Sequence, residues 1–360
     1  MRLIFVTKQY LNIKMNLDQH WTAYDPSSKS PSGYYSPGSG LEYRANGPIQ
    51  FVIDQYQIEN DVEATKFSTR DRVDLILRND FTIGPDRTIV CFPGWGETSA
   101  MLGGDFLDIL IKGLKENGAK NPSIIFPNIQ GRGTRDYAMK NSASTTGFRD
   151  AIGDAKRLAN RFVSNGDLNG DVTVMGHSMG YIAAWEFVRG LMEEQGDFNL
   201  KKITGMMPGT DEAFGPFKPE FLWAVKNDVA LAILRYATKE SLAVSHEEYN
   251  GLMYGDQDHA DFHNYVRSVP DSARVFLDWV FNPERKELPL DKLADVDVNI
   301  LWSKNDKLLP KYMGRNEILF LNRNGVKCEY KKLMEFSHAI PFDMSEKQMG
   351  ELSALAEFII

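Results

Sequence analysis

The chain has 360 residues, 42% hydrophobic and 25% charged, with a formal net charge of −8. That make-up suits an ordinary globular protein with one large α/β domain plus an insertion, or two modest domains. The acidic balance argues against a nucleic-acid surface, and no run is apolar enough to span a bilayer or, at Leu3–Val6, to form a signal-peptide core, so a cytoplasmic location is expected.

Residues 1–48 form an N-terminal extension with no assignable place; 25–40 is rich in Ser, Pro and Gly and reads as a loop. Strands are expected at Phe51–Ile58 and Val73–Leu77, separated by the polar stretch EATKFSTRD, and a buried strand at Arg87–Phe92. After Pro93-Gly94-Trp95-Gly96 an apolar-periodic helix runs from Met101 to about Leu114. Pro122–Phe126 is a short strand, about Gly147 to Phe162 a helix, and Lys202–Met206 another strand. Strands and helices alternating at this rhythm imply a mostly parallel, doubly wound sheet with helices on both faces.

The rhythm breaks over 208–293, which is too long for a strand-to-helix loop and carries Phe214, Phe217, Phe221, Trp223 and Tyr236. It resumes in 294–360, with a strand at Val298–Trp302, a helix at Tyr312–Leu321, a strand at Val326–Leu333 and a helix at Glu346–Phe358. The core is thus expected in two parts, 49–207 and 294–360, around a separate layer.

The most informative stretch is Asp171–Trp185, DVTVMGHSMGYIAAW. A β-branched apolar run leads into Gly176-His177-Ser178-Met179-Gly180, and a largely apolar helix follows. G-x-S-x-G between a strand and a helix describes a sharp turn that lifts a serine hydroxyl clear of the sheet. The flanking glycines leave room where the backbone folds back on itself, and N–H groups at the helix start stand ready for negative charge.

On these residues the chain resembles the serine branch of the α/β-hydrolase family, esterase- and lipase-like, over about 49–360. The resemblance implies that 208–293 is a cap inserted after the sixth strand. A serine hydroxyl needs a base, and the base an orienting carboxylate. The resemblance gives the catalytic roles to Ser178, to His338 on the loop after the last strand, and to Asp306 after Val298–Trp302. Asp211, after the preceding strand, is the other candidate acid. His177, beside Ser178 on a tight elbow, is expected to pack locally. The oxyanion hole would use the N–H groups of Met179 and Trp95, although Pro93 replaces the family's usual histidine. Tyr181 stands where a small residue is common, and would either narrow the pocket or pack.

Other motifs carry less. His259 and His263 sit at i, i+4 but lack the glutamate of a zinc helix. Asp167–Asp171 begins like a calcium loop, yet Val172 and Ser178 stand where its glycine and closing glutamate belong. Gly131-Arg132-Gly133 lacks the further glycine of a dinucleotide fingerprint. Cys91 and Cys328 are too few for a disulfide framework and show no metal spacing. No metal or other cofactor is therefore expected.

The expectation is a carboxylic ester hydrolase acting through an acyl-enzyme on a small-molecule substrate with an apolar acyl portion. Thioester, lactone or carbon–carbon cleavage and acyl transfer use the same groups. A ligand-binding module without turnover, or an interaction protein using residues 1–48, are the non-enzymatic rivals.

Overall fold

The computed structural model describes residues 64–69, 72–78, 84–94, 104–127, 147–194, 196–209, 253, 278, 290–309, 312–340 and 344–360. Strands β1 (Ala64–Thr69) and β2 (Arg72–Arg78) pair antiparallel with each other, and β2 pairs antiparallel with β4 (Pro122–Phe126). Strands β3 (Arg87–Phe92), β4, β5 (Gly170–His177), β6 (Phe198–Met206), β7 (Asp297–Ser303) and β8 (Cys328–Leu333) are parallel. The sheet order is β1-β2-β4-β3-β5-β6-β7-β8, so the chain steps outward from β3 to β4 and then returns to β5 on the other side of β3. Such a reversal opens a crevice at the carboxyl ends of the strands on either side of it.

Among the described residues the α-helices are α1 (Gly104–Glu116), α2 (Phe148–Ser164), α3 (Gly180–Leu191), α4 (Tyr312–Arg323), α5 (Glu346–Ala354) and α6 (Ala356–Ile359). Successive strand residues face opposite sides of the sheet, and here both sides are covered, which is why the central strands are so uniformly apolar. Val90, Phe92, Val174, Ile203, Val298 and Ile300 pack with residues of α2, α3 and α4. Ile89, Cys91, Met175 and Leu301 pack with residues of α1, α5 and α6. This is the doubly wound arrangement expected from the alternating pattern.

Polar residues inside these strands have a specific task. Thr173 Oγ1 donates to Ile360 O at 2.8 Å, Thr204 Oγ1 to Ile359 O at 2.8 Å, Asn299 Nδ2 to Phe358 O at 2.6 Å and Lys202 Nζ to Glu357 O at 2.7 Å. The last carbonyls of a helix have no partner within it. Side chains from β5, β6 and β7 supply those partners and tie the final turn across the sheet. The single helix expected over Glu346–Phe358 is accordingly two, parted at Leu355 (φ −105°, ψ 5°).

Two further expectations change. Part of the stretch read as a polar separator is β1, an edge strand, which needs only one hydrogen-bonded neighbour. Strand β6 starts at Phe198 rather than Lys202, its first half alternating between exposed and half-buried residues that hide the apolar signal. The strand expected at Phe51–Ile58, residues 1–48, and all of 208–293 except 208, 209, 253, 278 and 290–293 lie outside the described residues. Among the described residues no helix is long and apolar enough to cross a membrane.

Candidate active site

Strand β5 ends at His177, and Ser178 and Met179 turn the chain into α3, Ser178 in the left-handed region at φ +50°. That conformation costs an L-residue about 1–2 kcal/mol, so the surroundings must hold it. Ser178 N–H donates to Met206 O at 3.0 Å, while Ser178 O accepts from Gly209 N–H at 2.9 Å and Tyr181 N–H at 3.1 Å. Met207, between Met206 and Gly209, is itself at φ +41° and donates its N–H to Leu301 O at 2.7 Å. Both flanking glycines are obligatory. A Cβ at Gly176 would lie 2.4 Å from Tyr181 Cα, and one at Gly180 2.3 Å from Phe92 O and 2.4 Å from Pro93 O. The same close approach brings the loop after β3 against the start of α3.

Ser178 Oγ lies 2.9 Å from His338 Nε2, and His338 Nδ1 lies 2.8 Å from Asp306 Oδ2. All three residues are buried, His338 completely. With a carboxylate facing Nδ1, that nitrogen carries the ring proton and Nε2 accepts from the serine hydroxyl. Asp306 Oδ1 accepts N–H groups from Leu308 and Leu309, both at 2.8 Å. The carboxylate is thus oriented by the backbone of the loop that carries it.

His338 sits on an irregular loop after β8, and side chains take up that loop's backbone groups almost one by one. Met334 and Glu335 donate their N–H groups to the two oxygens of Glu351, at 2.7 and 2.9 Å. Met334 O accepts from Asn305 Nδ2 at 2.7 Å, Glu335 O from Gln348 Nε2 at 3.0 Å, and Phe336 O from Ser303 Oγ. His338 O faces His177 Nε2 at 2.8 Å, and Ala339 N–H donates to Met253 O at 2.8 Å. Buried backbone polar groups need partners, and a loop without regular structure must find them in side chains.

The structure therefore brings Ser178, His338 and Asp306 into one hydrogen-bonded chain. Met179 is the residue before α3 and, among the described residues, its N–H has no acceptor. Trp95, the runner-up acid Asp211, the His259/His263 pair and Gly131-Arg132-Gly133 lie outside the described residues. Tyr181 does not face Ser178: it packs edge-on against Trp185, lies against Gly205 of β6 and reaches Glu317 at 3.5 Å. His177 does more than pack locally, because its ring reaches a residue 161 positions onward. No spacing rule signals that contact; it follows from the side-by-side approach of the β5 elbow and the loop after β8. Among the described residues, no group of three or more His, Cys, Asp or Glu side chains could hold a metal ion.

No protein-family model matches the sequence, and no curated protein matches it. Solved structures do. Carboxylesterase CesB of Bacillus subtilis superposes with a TM-score of 0.52 at 18% identity, covering 87% of this chain and 99% of that one. An esterase of Exiguobacterium antarcticum gives 0.52 at 16% identity, over 82% of this chain and 100% of its own. Esterase RhEst1 of Rhodococcus sp. ECU1013 gives 0.52 at 14%, over 83% and 99%. Sheet order, elbow and these likenesses agree: the chain has the α/β-hydrolase fold.

Proposed function

We propose that the protein is a cofactor-independent serine hydrolase that cleaves carboxylic esters through an acyl-enzyme. The observation that carries this is the continuous path from Ser178 Oγ through the His338 ring to Asp306 Oδ2, at 2.9 and 2.8 Å. Ser178 Oγ attacks the ester carbonyl while His338 Nε2 takes its proton. Asp306 keeps the ring in the Nδ1–H form and stabilises the imidazolium. The N–H of Met179, at the start of α3, receives the developing oxyanion, with Trp95 N–H the second donor that the family resemblance implies. His338 returns the proton to the leaving alcohol, then activates water to release the acid. The esterase names of structures sharing the fold support an ester as substrate, and the aromatics of 208–293, read as a cap, suit an apolar acyl chain.

The test is a fluorophosphonate probe followed by mass spectrometry, together with p-nitrophenyl esters of graded length. An adduct on Ser178, with turnover lost in Ser178→Ala by roughly 10⁴- to 10⁶-fold, is the expected result. An adduct on another serine would move the nucleophile. Labelling without turnover of any ester or thioester would leave a ligand-binding module or a different acyl chemistry.

A further inference from the structure

His177 is fully buried, and its Nε2 faces a carbonyl oxygen, that of His338, at 2.8 Å. A carbonyl only accepts, so His177 Nε2 bears the hydrogen and donates it. The two imidazole rings lie with centroids 5.2 Å apart, tilted by 46°. The peptide that accepts this hydrogen bond belongs to the residue whose ring receives the Ser178 hydroxyl. His177 is also covalently joined to Ser178. Nucleophile and base are thus linked twice: through space by Ser178 Oγ and His338 Nε2, and along the backbone by way of the His177 ring.

We propose that His177 is a positioning residue that fixes the distance between Ser178 Oγ and His338 Nε2, and so sets the rate at which the serine is acylated. The inference rests on Ser178 and His338 being nucleophile and base. The ties before the histidine hold Met334, Glu335 and Phe336; at the histidine's own peptide, His177 takes the carbonyl and Met253 O accepts the Ala339 N–H on the other side. Rotating that peptide swings the imidazole, and misplacing reacting groups by about 1 Å costs on the order of 10² in rate. His177 touches no reacting atom, so its loss should slow acylation without weakening the initial binding of the acylating reagent.

The experiment measures the saturating rate of fluorophosphonate labelling at Ser178 and the concentration that half-saturates it, with melting temperature determined separately. His177→Phe keeps a ring but removes the donor. His177→Gln places an amide N–H near the former Nε2 position, and His177→Asn is too short to reach. The expected result is a roughly 10- to 100-fold lower saturating rate in Phe and Asn. Half-saturation should stay within twofold, and Gln should keep at least a third of the wild-type rate. Equal rates in Gln and Asn, or a folded Phe variant within threefold of wild type, would overturn the proposal. If Phe does not fold, the Gln–Asn comparison decides; a Gln variant that fails to fold also counts against it. A wild-type protein that is not labelled at Ser178 would instead reject the nucleophile assignment, a separate failure visible before any variant is made.

Discussion

Asp306 meets His338 with one oxygen only: Oδ2 lies 2.8 Å from Nδ1, while Oδ1 is held by the N–H groups of Leu308 and Leu309. This division makes Asp306→Asn unusually informative. The amide of the variant must keep its oxygen toward the two backbone donors, which leaves its NH₂ facing His338 Nδ1. A donor there forces the ring into the Nε2–H form, which cannot take the serine proton. The expected loss is on the order of 10⁴ in kcat. Asp211→Asn should be nearly silent. Steady-state kinetics on a short p-nitrophenyl ester checks both, and the reverse ranking would give the acid role to Asp211.

The elbow makes an opposite kind of prediction, on stability. At φ +50° Ser178 occupies a region that disfavours every residue with a Cβ. Ser178→Gly removes that cost, which outweighs glycine's greater loss of freedom on folding, so the Gly variant should exceed Ser178→Ala in unfolding free energy by about 1 kcal/mol. Urea denaturation of the two inactive variants compares them directly. An alanine variant as stable as the glycine one would mean that the turn is not strained.

Both thiols are predicted to be silent in the folded protein. Burial, with smaller contributions from Glu317 and Glu329, pushes the Cys328 thiol up to about 12. Below that pH the thiol stays protonated, and the thiolate is the reactive form. Cys91 is fully buried in β3. Ellman's reagent at pH 8 should therefore find almost no thiol before denaturation and both cysteines after it. Rapid reaction of the native protein would show that one of these sites opens.

The sequence made the sheet legible where strands are buried on both faces, because Arg87–Phe92, Pro122–Phe126 and Val298–Trp302 are short apolar runs between turns. It also made Ser178 legible, since a G-x-S-x-G between strand and helix has a steric cause visible in the letters. Edge strand β1 was hidden, as was the polar first half of β6, because neither needs an apolar face on both sides. Thr173, Thr204 and Asn299 read as imperfections in apolar strands until their bonds to the carbonyls of 358–360 explain them. His177 was illegible for a different reason: its partner is fixed by how two loops meet across the sheet edge.

The segment between β6 and β7 also bears on the histidine loop. Among its described residues, Met253 reaches the histidine loop, its carbonyl accepting Ala339 N–H at 2.8 Å and its side chain joining the apolar cluster that includes Phe336, Ala339 and Ile340. These two contacts are separable. Met253→Ala keeps the carbonyl but empties a site only 3% exposed, so it should destabilise the fold by about 2–4 kcal/mol and leave acylation of Ser178 within about threefold. Replacing 210–287 with a short Gly/Ser linker removes the carbonyl as well, next to the residue that bears the base. That variant should label at Ser178 at least tenfold more slowly, even with a small fluorophosphonate. It should also lose long-chain ester hydrolysis further than acetate hydrolysis if the segment's aromatics line the acyl site. A folded linker variant with wild-type labelling would show that the loop holds His338 without the segment's help. An unchanged chain-length profile would show that the segment does not select the substrate.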